Sequence, residues 1–196
     1  LFECMSERQV TVDGNTYPMD TPFIVLATQN PIEHEGTYRL PEAQLDRFLF
    51  KIVVNYPEFS QELTILKEHH AQKAGNKESL VQQVVSSEEI VLFQSQVKLV
   101  FAHEDVLNYI AQIIVQTRTN PNLTLGASPR ASIAILEASK ASAALLGRDF
   151  ITPDDVKYVA PAILGHRVTL TPEKEMEGFT TEFIIKQIVD GVEIPR

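Results

Sequence analysis

The chain has 196 residues, 44% of them hydrophobic and a formal net charge of −9, which suits one or two globular domains with a real core. That acidic balance argues against a general nucleic-acid surface, which needs a basic stripe. The single Cys4 excludes an internal disulfide framework, and no apolar run approaches the roughly 18 residues of a membrane span.

The opening LFECMSERQV reads as the middle of an amphipathic helix. Gln9-Val10-Thr11-Val12 and Thr16-Tyr17 then flank Asp13-Gly14, a strong signal for a tight hairpin. Phe23-Ile24-Val25-Leu26-Ala27 is continuously apolar, as expected of a strand buried on both faces of a parallel sheet. A short helix is expected from Pro41, and Lys51 to Tyr56 reads as a second strand closed by Pro57.

From Ser60 the pattern turns helical. Ser60 is expected to cap a helix over Gln61 to His70 that ends near Ala74-Gly75-Asn76. Ser86 with Glu89 has capping-box spacing and opens a helix toward Gln96. Val106, Leu107, Ile110, Ile113 and Ile114 recur at helical spacing. Ser128-Pro129 sets an N-cap before a proline at the first helical position, starting an Ala-rich helix to about Leu146. Thr152-Pro153-Asp154-Asp155 repeats that arrangement, with Gly165 after the end, and a last helix is expected from Thr181 to Val189.

Three residues stand out as candidates for chemistry. Asn30 follows the apolar strand, and in open parallel sheets ligands bind beyond the carboxyl ends of strands. Its amide offers a donor and an acceptor, enough to hold a water and touch a phosphate oxygen; the plain alternative is that Asn30-Pro31 starts a turn. Arg47 sits on the expected short helix opposite Leu45, Phe48 and Leu49, so it points away from its own core. Its plain alternative is a solvated Arg paired with Glu42 or Glu33. Arg130 falls in a first helical turn, where the helix dipole disfavours a cation. An anion shared between Arg130 and the helix N-terminus would relieve the conflict, and a nucleotide phosphate fits; a snorkelling surface Arg is the alternative. The adjoining His34-Glu35 and His69-His70 make poor metal pairs, because helix neighbours diverge by about 100°. No metal site is expected in this chain.

Taken together, FIVLATQNPIEHEGTYRLPEAQLDRFLFK, GASPR and GRDFITPDDVKYVAPAILGHR resemble the MoxR family of AAA+ ATPases. His34 and Arg39 stand where the family pattern leads one to expect Gln and Pro. The resemblance implies an α/β remnant of a P-loop AAA+ core over 1–57, followed by an all-α lid domain over 58–196. It implies that Asn30 is sensor 1, that Arg47 is an arginine finger reaching a neighbouring subunit, and that Arg130 is sensor 2 on the lid. ATP and Mg2+ would serve the full-length protein, with hydrolysis coupled to chaperone-like remodelling. The implied setting is a homo-oligomeric ring of hexameric type in the cytoplasm, working with a von Willebrand factor A-type partner or a protein client. The hairpin tip, Asp13-Gly14-Asn15, carries no cation and favours a protein client over nucleic acid.

No G-x-x-x-x-G-K-[ST] loop and no Walker B Asp-Glu occur in the 196 residues. The chain therefore reads as the C-terminal part of such an ATPase, inactive alone and without a bound cofactor of its own. Two alternatives stand beside this: a magnesium-chelatase-type ATPase subunit, and a non-catalytic oligomerisation or interaction module.

Overall fold

A computed structural model describes residues 2–29, 41–71 and 82–194; Asn30, Glu33, His34, Glu35 and Arg39 lie outside that set. The chain opens with helix α1 (Phe2–Glu7) and passes into strands β1 (Gln9–Val12) and β2 (Asn15–Pro18), paired antiparallel. Val12 pairs with Asn15, leaving a two-residue loop. Asp13 and Gly14 there adopt φ of 49° and 78°, the left-handed pair that a type I′ hairpin requires and that Asp-Gly supplies.

The two apolar runs expected as strands differ from that expectation. Phe23–Ala27 and Lys51–Tyr56 form no helix or strand and have no ladder partner among the described residues, and Ile24, Leu26, Ile52 and Val54 are exposed. A strand exists through hydrogen bonds to a neighbour, and a run apolar on both faces also needs a layer over each face. The described residues supply neither. Between the two runs lies the single-turn helix α2 (Glu42–Leu45), with Pro41 at its N-cap position as expected.

Helix α3 (Phe59–Ala71) begins ahead of Ser60. The Gln61 side chain accepts a 3.0 Å bond from the Glu58 amide. That is the reach-back half of a capping box, and it puts the start at Phe59, two residues earlier than a Ser60 cap would. The expected end near Ala74-Gly75-Asn76 lies outside the described residues. Helix α4 (Ser87–Leu99) has the full capping box: Glu89 N–H donates to Ser86 Oγ at 3.2 Å, and Ser86 N–H to the Glu89 carboxylate at 2.7 Å.

The core begins at Val100 and runs to Val192. Helix α5 (Glu104–Thr119) buries Val106, Tyr109, Ile110, Ile113, Ile114 and Thr117 at helical spacing. Leu107, expected in that stripe, is 40% exposed. Helix α6 (Pro129–Leu145) starts from the Ser128 cap, and its small buried residues Ala131, Ala134, Ala138 and Ser139 let neighbouring helices approach closely. Helices α7 (Pro153–Leu164) and α9 (Thr181–Gly191) complete the packing, with Ile135, Ile163, Leu164 and Ile185 shut off from solvent. A two-stranded antiparallel patch, β3 (Leu123–Leu125) with β4 (Thr169–Leu170), and the short helix α8 (Pro172–Met176) close the end of the bundle.

One knot ties α6 to α7. Arg148 grips the Asp155 carboxylate with two bonds of 2.6 and 2.8 Å. The amide and hydroxyl of Thr152 and the Ser142 hydroxyl donate to the same carboxylate. Burial pushes the Asp155 carboxyl up, but these donors outweigh it and bring it down to about 2. None of the helices among the described residues is long and apolar enough to cross a membrane.

Candidate functional site

The GASPR string folds as its residues dictate. Gly126 lies against the end of α5, where an added Cβ would come within 2.7 Å of Arg118 Cα and the Thr117 carbonyl oxygen. Only glycine allows that approach. Ala127 is buried; its amide donates to Thr117 Oγ1 at 3.0 Å, and its carbonyl accepts from Arg118 Nε at 2.9 Å. The loop is thus pinned before Ser128 caps α6 by accepting from Arg130 N–H at 3.2 Å.

Arg130 therefore enters the first turn of α6 as expected, and the anion that relieves its conflict with the helix dipole comes from the chain itself. Arg130 Nη1 lies 3.3 Å from the Asp46 carboxylate. The Ser128 hydroxyl donates to the same carboxylate, 3.0 and 3.2 Å from its two oxygens. Arg167 Nε donates to it at 2.9 Å. Burial raises the Asp46 carboxyl, yet the bonds from Ser128, Arg167 and Arg130 prevail and hold it below the ordinary Asp value. Asp46 is thus an anion at neutral pH with three donors on it.

Arg167 is the buried member, its side chain 3% exposed. Each of its five N–H donors has a partner. Nε takes the Asp46 carboxylate, Nη2 the carbonyls of Asp46 (2.9 Å) and Phe48 (2.6 Å), and Nη1 those of Leu49 (3.1 Å) and Ile163 (2.6 Å). Burial lowers its pKa and Asp46 works the other way; an arginine remains charged throughout. Beside it His166 Nε2 lies 2.9 Å from the Phe48 carbonyl, which fixes the proton on that nitrogen. Burial holds His166 below its usual pKa, the Phe48 carbonyl opposes this, and Arg167 adds to it.

Arg47 sits at the centre of this clasped turn. Helix α2 ends at Leu45, so Arg47 lies in the turn beyond it rather than on the expected helix. The turn is continued by tight bonds from Arg47 N–H to Gln44 (3.3 Å) and Phe48 N–H to Leu45 (3.0 Å). The outcome for its direction is the expected one for Leu45 and Phe48, which are part-buried while Arg47 is exposed; Leu49 is itself half exposed. Glu42, considered as its partner, instead accepts from the Thr169 hydroxyl at 3.2 Å. Arg47 directly follows Asp46, the residue whose carboxylate holds Arg130. Asn30 lies outside the described residues.

Asp46 and Arg167 were not singled out from the sequence, although both sit inside the strings LPEAQLDRF and GHR. The available signal was an acid adjoining Arg47 and an Arg three residues past the apolar end of a helix. Among the described residues there is no group of three His, Cys, Asp or Glu side chains that could hold a metal ion. A shallow concavity lined by Asn108, Gln112, Gln116 and Glu193 shares no residue with the cluster.

Comparison with known proteins matches two separate stretches of the chain. Residues 1–50 match the ATPase family associated with various cellular activities (AAA), and residues 115–188 match the AAA lid domain. Over its full length the chain is 45% identical to the uncharacterized protein YeaC of Bacillus subtilis and 38% identical to the chaperone MoxR1 of Mycobacterium tuberculosis. It spans 60% and 53% of those two relatives. A crystal structure from Cytophaga hutchinsonii, of a protein for which ATPase activity is proposed, superposes on the whole chain with a TM-score of 0.89 at 38% identity, and the chain covers 61% of it.

Proposed function

Because this chain belongs to the MoxR family of AAA+ ATPases, we propose that it supplies the sensing, finger and lid side of an ATP-hydrolysing site. The phosphate-cradling loop of that site lies outside its 196 residues. The observation that carries the proposal is Asp46, which ties the motif bearing Arg130 to the motif bearing Arg47. This contact supports reading Arg47 as the arginine finger and Arg130 as sensor 2 of one site.

In this reading 1–57 is the end of the ATPase core and 58–196 the lid. Asn30 orients water at the terminal phosphate, and Arg130 contacts the nucleotide after leaving Asp46. Arg47 reaches a neighbouring subunit and stabilises charge on the transferred phosphoryl group. Mg2+ would supply further charge neutralisation there. The ring, of hexameric type and in the cytoplasm, would remodel a protein client or a von Willebrand factor A-type partner. The cation-free tip Asp13-Gly14-Asn15 supports a protein rather than a nucleic acid as that client.

The test is a pair of measurements on the full-length protein. Arg47→Ala should leave nucleotide affinity within a few-fold while lowering turnover by about 10³ or more. Unchanged turnover would sink the finger assignment, and a full-length wild type without ATP turnover would favour the non-catalytic module.

A further inference from the structure

The geometry points to Arg167 as a positioning residue that fixes Arg47 to the lid, so that the lid and the finger turn move as one body. This rests on the finger reading of Arg47 and extends it to a residue with no assigned role.

The turn carrying Arg47 cannot hold its own shape. Helix α2 has four residues, far below the roughly 12 that an isolated helix needs to be even marginal in water. Its shape comes from α7 and the residues just after it. Four of the five Arg167 bonds land on Asp46, Phe48 and Leu49, and the fifth returns to Ile163 in α7. His166 adds a bond to Phe48, and Lys51 N–H donates to the Ala162 carbonyl at 2.9 Å. Residues 46, 48, 49 and 51 are therefore all tethered to 162–167, and the exposed Arg47 is carried among them. A planar guanidinium with five donors in a fixed fork can satisfy several carbonyls at once, whereas an ammonium on a flexible stem cannot hold the same set. Three backbone carbonyls read by one rigid group define the orientation of the turn, not merely its attachment.

A purely structural Arg167 and a positioning Arg167 differ in one respect. If it acts through Arg47, its loss has no further effect once Arg47 is gone. In the full-length protein, ATP turnover and nucleotide affinity are measured for Arg167→Lys, Arg47→Ala and the double variant. Arg167→Lys should lower kcat by about 10- to 100-fold, the scale of a misplacement near 1 Å, with nucleotide affinity unchanged. The double variant should fall no further than Arg47→Ala alone, within about threefold. Multiplying losses, or wild-type kcat in Arg167→Lys, would overturn the inference and leave the finger reading intact. Wild-type kcat in Arg47→Ala would overturn both. Asp46→Asn, which loosens the same turn while keeping one acceptor for Arg167 Nε, provides the parallel cycle if Arg167→Lys does not fold. The same non-additivity is expected of it, and multiplying losses there count against the inference equally.

Discussion

Asp46→Ala removes one carboxylate from three donors whose exposure differs, and the unequal consequences can be worked out. The Arg130 side chain is 61% exposed, so its pair lies open to water and its loss costs roughly 0–1 kcal/mol. Ser128 keeps its capping bond to the Arg130 amide. Arg167 has no such relief at Nε, because its side chain is 3% exposed. Breaking a fully buried pair costs about 3–5 kcal/mol, and losing one hydrogen bond to a charged group about 1.5–3 kcal/mol. The other four Arg167 donors use carbonyls that survive the substitution, so the lower range applies, about 2 kcal/mol. For a cooperative unit the size of the Val100–Val192 core, that shifts Tm down by about 8–16 °C. Thermal unfolding of the 196-residue chain followed by circular dichroism would measure it, with Arg130→Ala alongside and expected to shift by less than about 8 °C. Equal shifts for the two variants, or Asp46→Ala matching wild type, would refute the ranking of the three contacts.

Gly126→Ala should destabilise by about 2 kcal/mol or more, because the new methyl meets backbone of Arg118 and Thr117 at 2.7 Å; denaturant unfolding with an unchanged midpoint would contradict this. Acid should weaken the fold in two windows. His166 is held below 6.5 when folded, so the unfolded chain takes up its proton first and stability declines as pH falls below about 6.5. Asp155 is lowered from 3.8 to about 2, so its contribution, no more than about 2 kcal/mol, is present above pH 4 and lost as pH falls toward 2. Asp155→Asn should flatten that lower limb of a stability–pH curve, and an unflattened limb would assign the acid loss elsewhere. Isothermal calorimetry of the 196-residue chain should give no micromolar affinity for ATP, since its sequence has no amide nest and lysine for the phosphates; tight binding would show a phosphate site of another kind.

Helix starts were the most legible part of the fold, because a cap is written in two or three adjacent residues. Ser86 with Glu89, Ser128-Pro129 and Thr152-Pro153 all begin helices where local chemistry says they should. Thr171-Pro172 carries the same signal, and α8 could have been read from it. Strands were less legible for a physical reason. Phe23–Ala27 has strand composition, but being a strand depends on a neighbour, and the described residues supply none. The β3–β4 patch has too few residues for a period-two pattern to emerge. In the candidate site, Arg130 was visible because a cation in a first helical turn violates a local rule. Asp46 and Arg167 violate none, and their meaning lies in contacts across more than 80 positions of sequence.

The central claim, that Arg47 completes a site on a neighbouring subunit, is tested most directly by mixing two inactive full-length proteins. One carries Arg47→Ala, and the other a substitution of the phosphate-loop lysine. Mixed rings contain interfaces that pair an intact loop with an intact Arg47, so ATP turnover should partly return, in proportion to the number of such interfaces. If subunit exchange is demonstrated and turnover stays at the level of the separate variants, Arg47 does not act across the interface and the account fails at its centre.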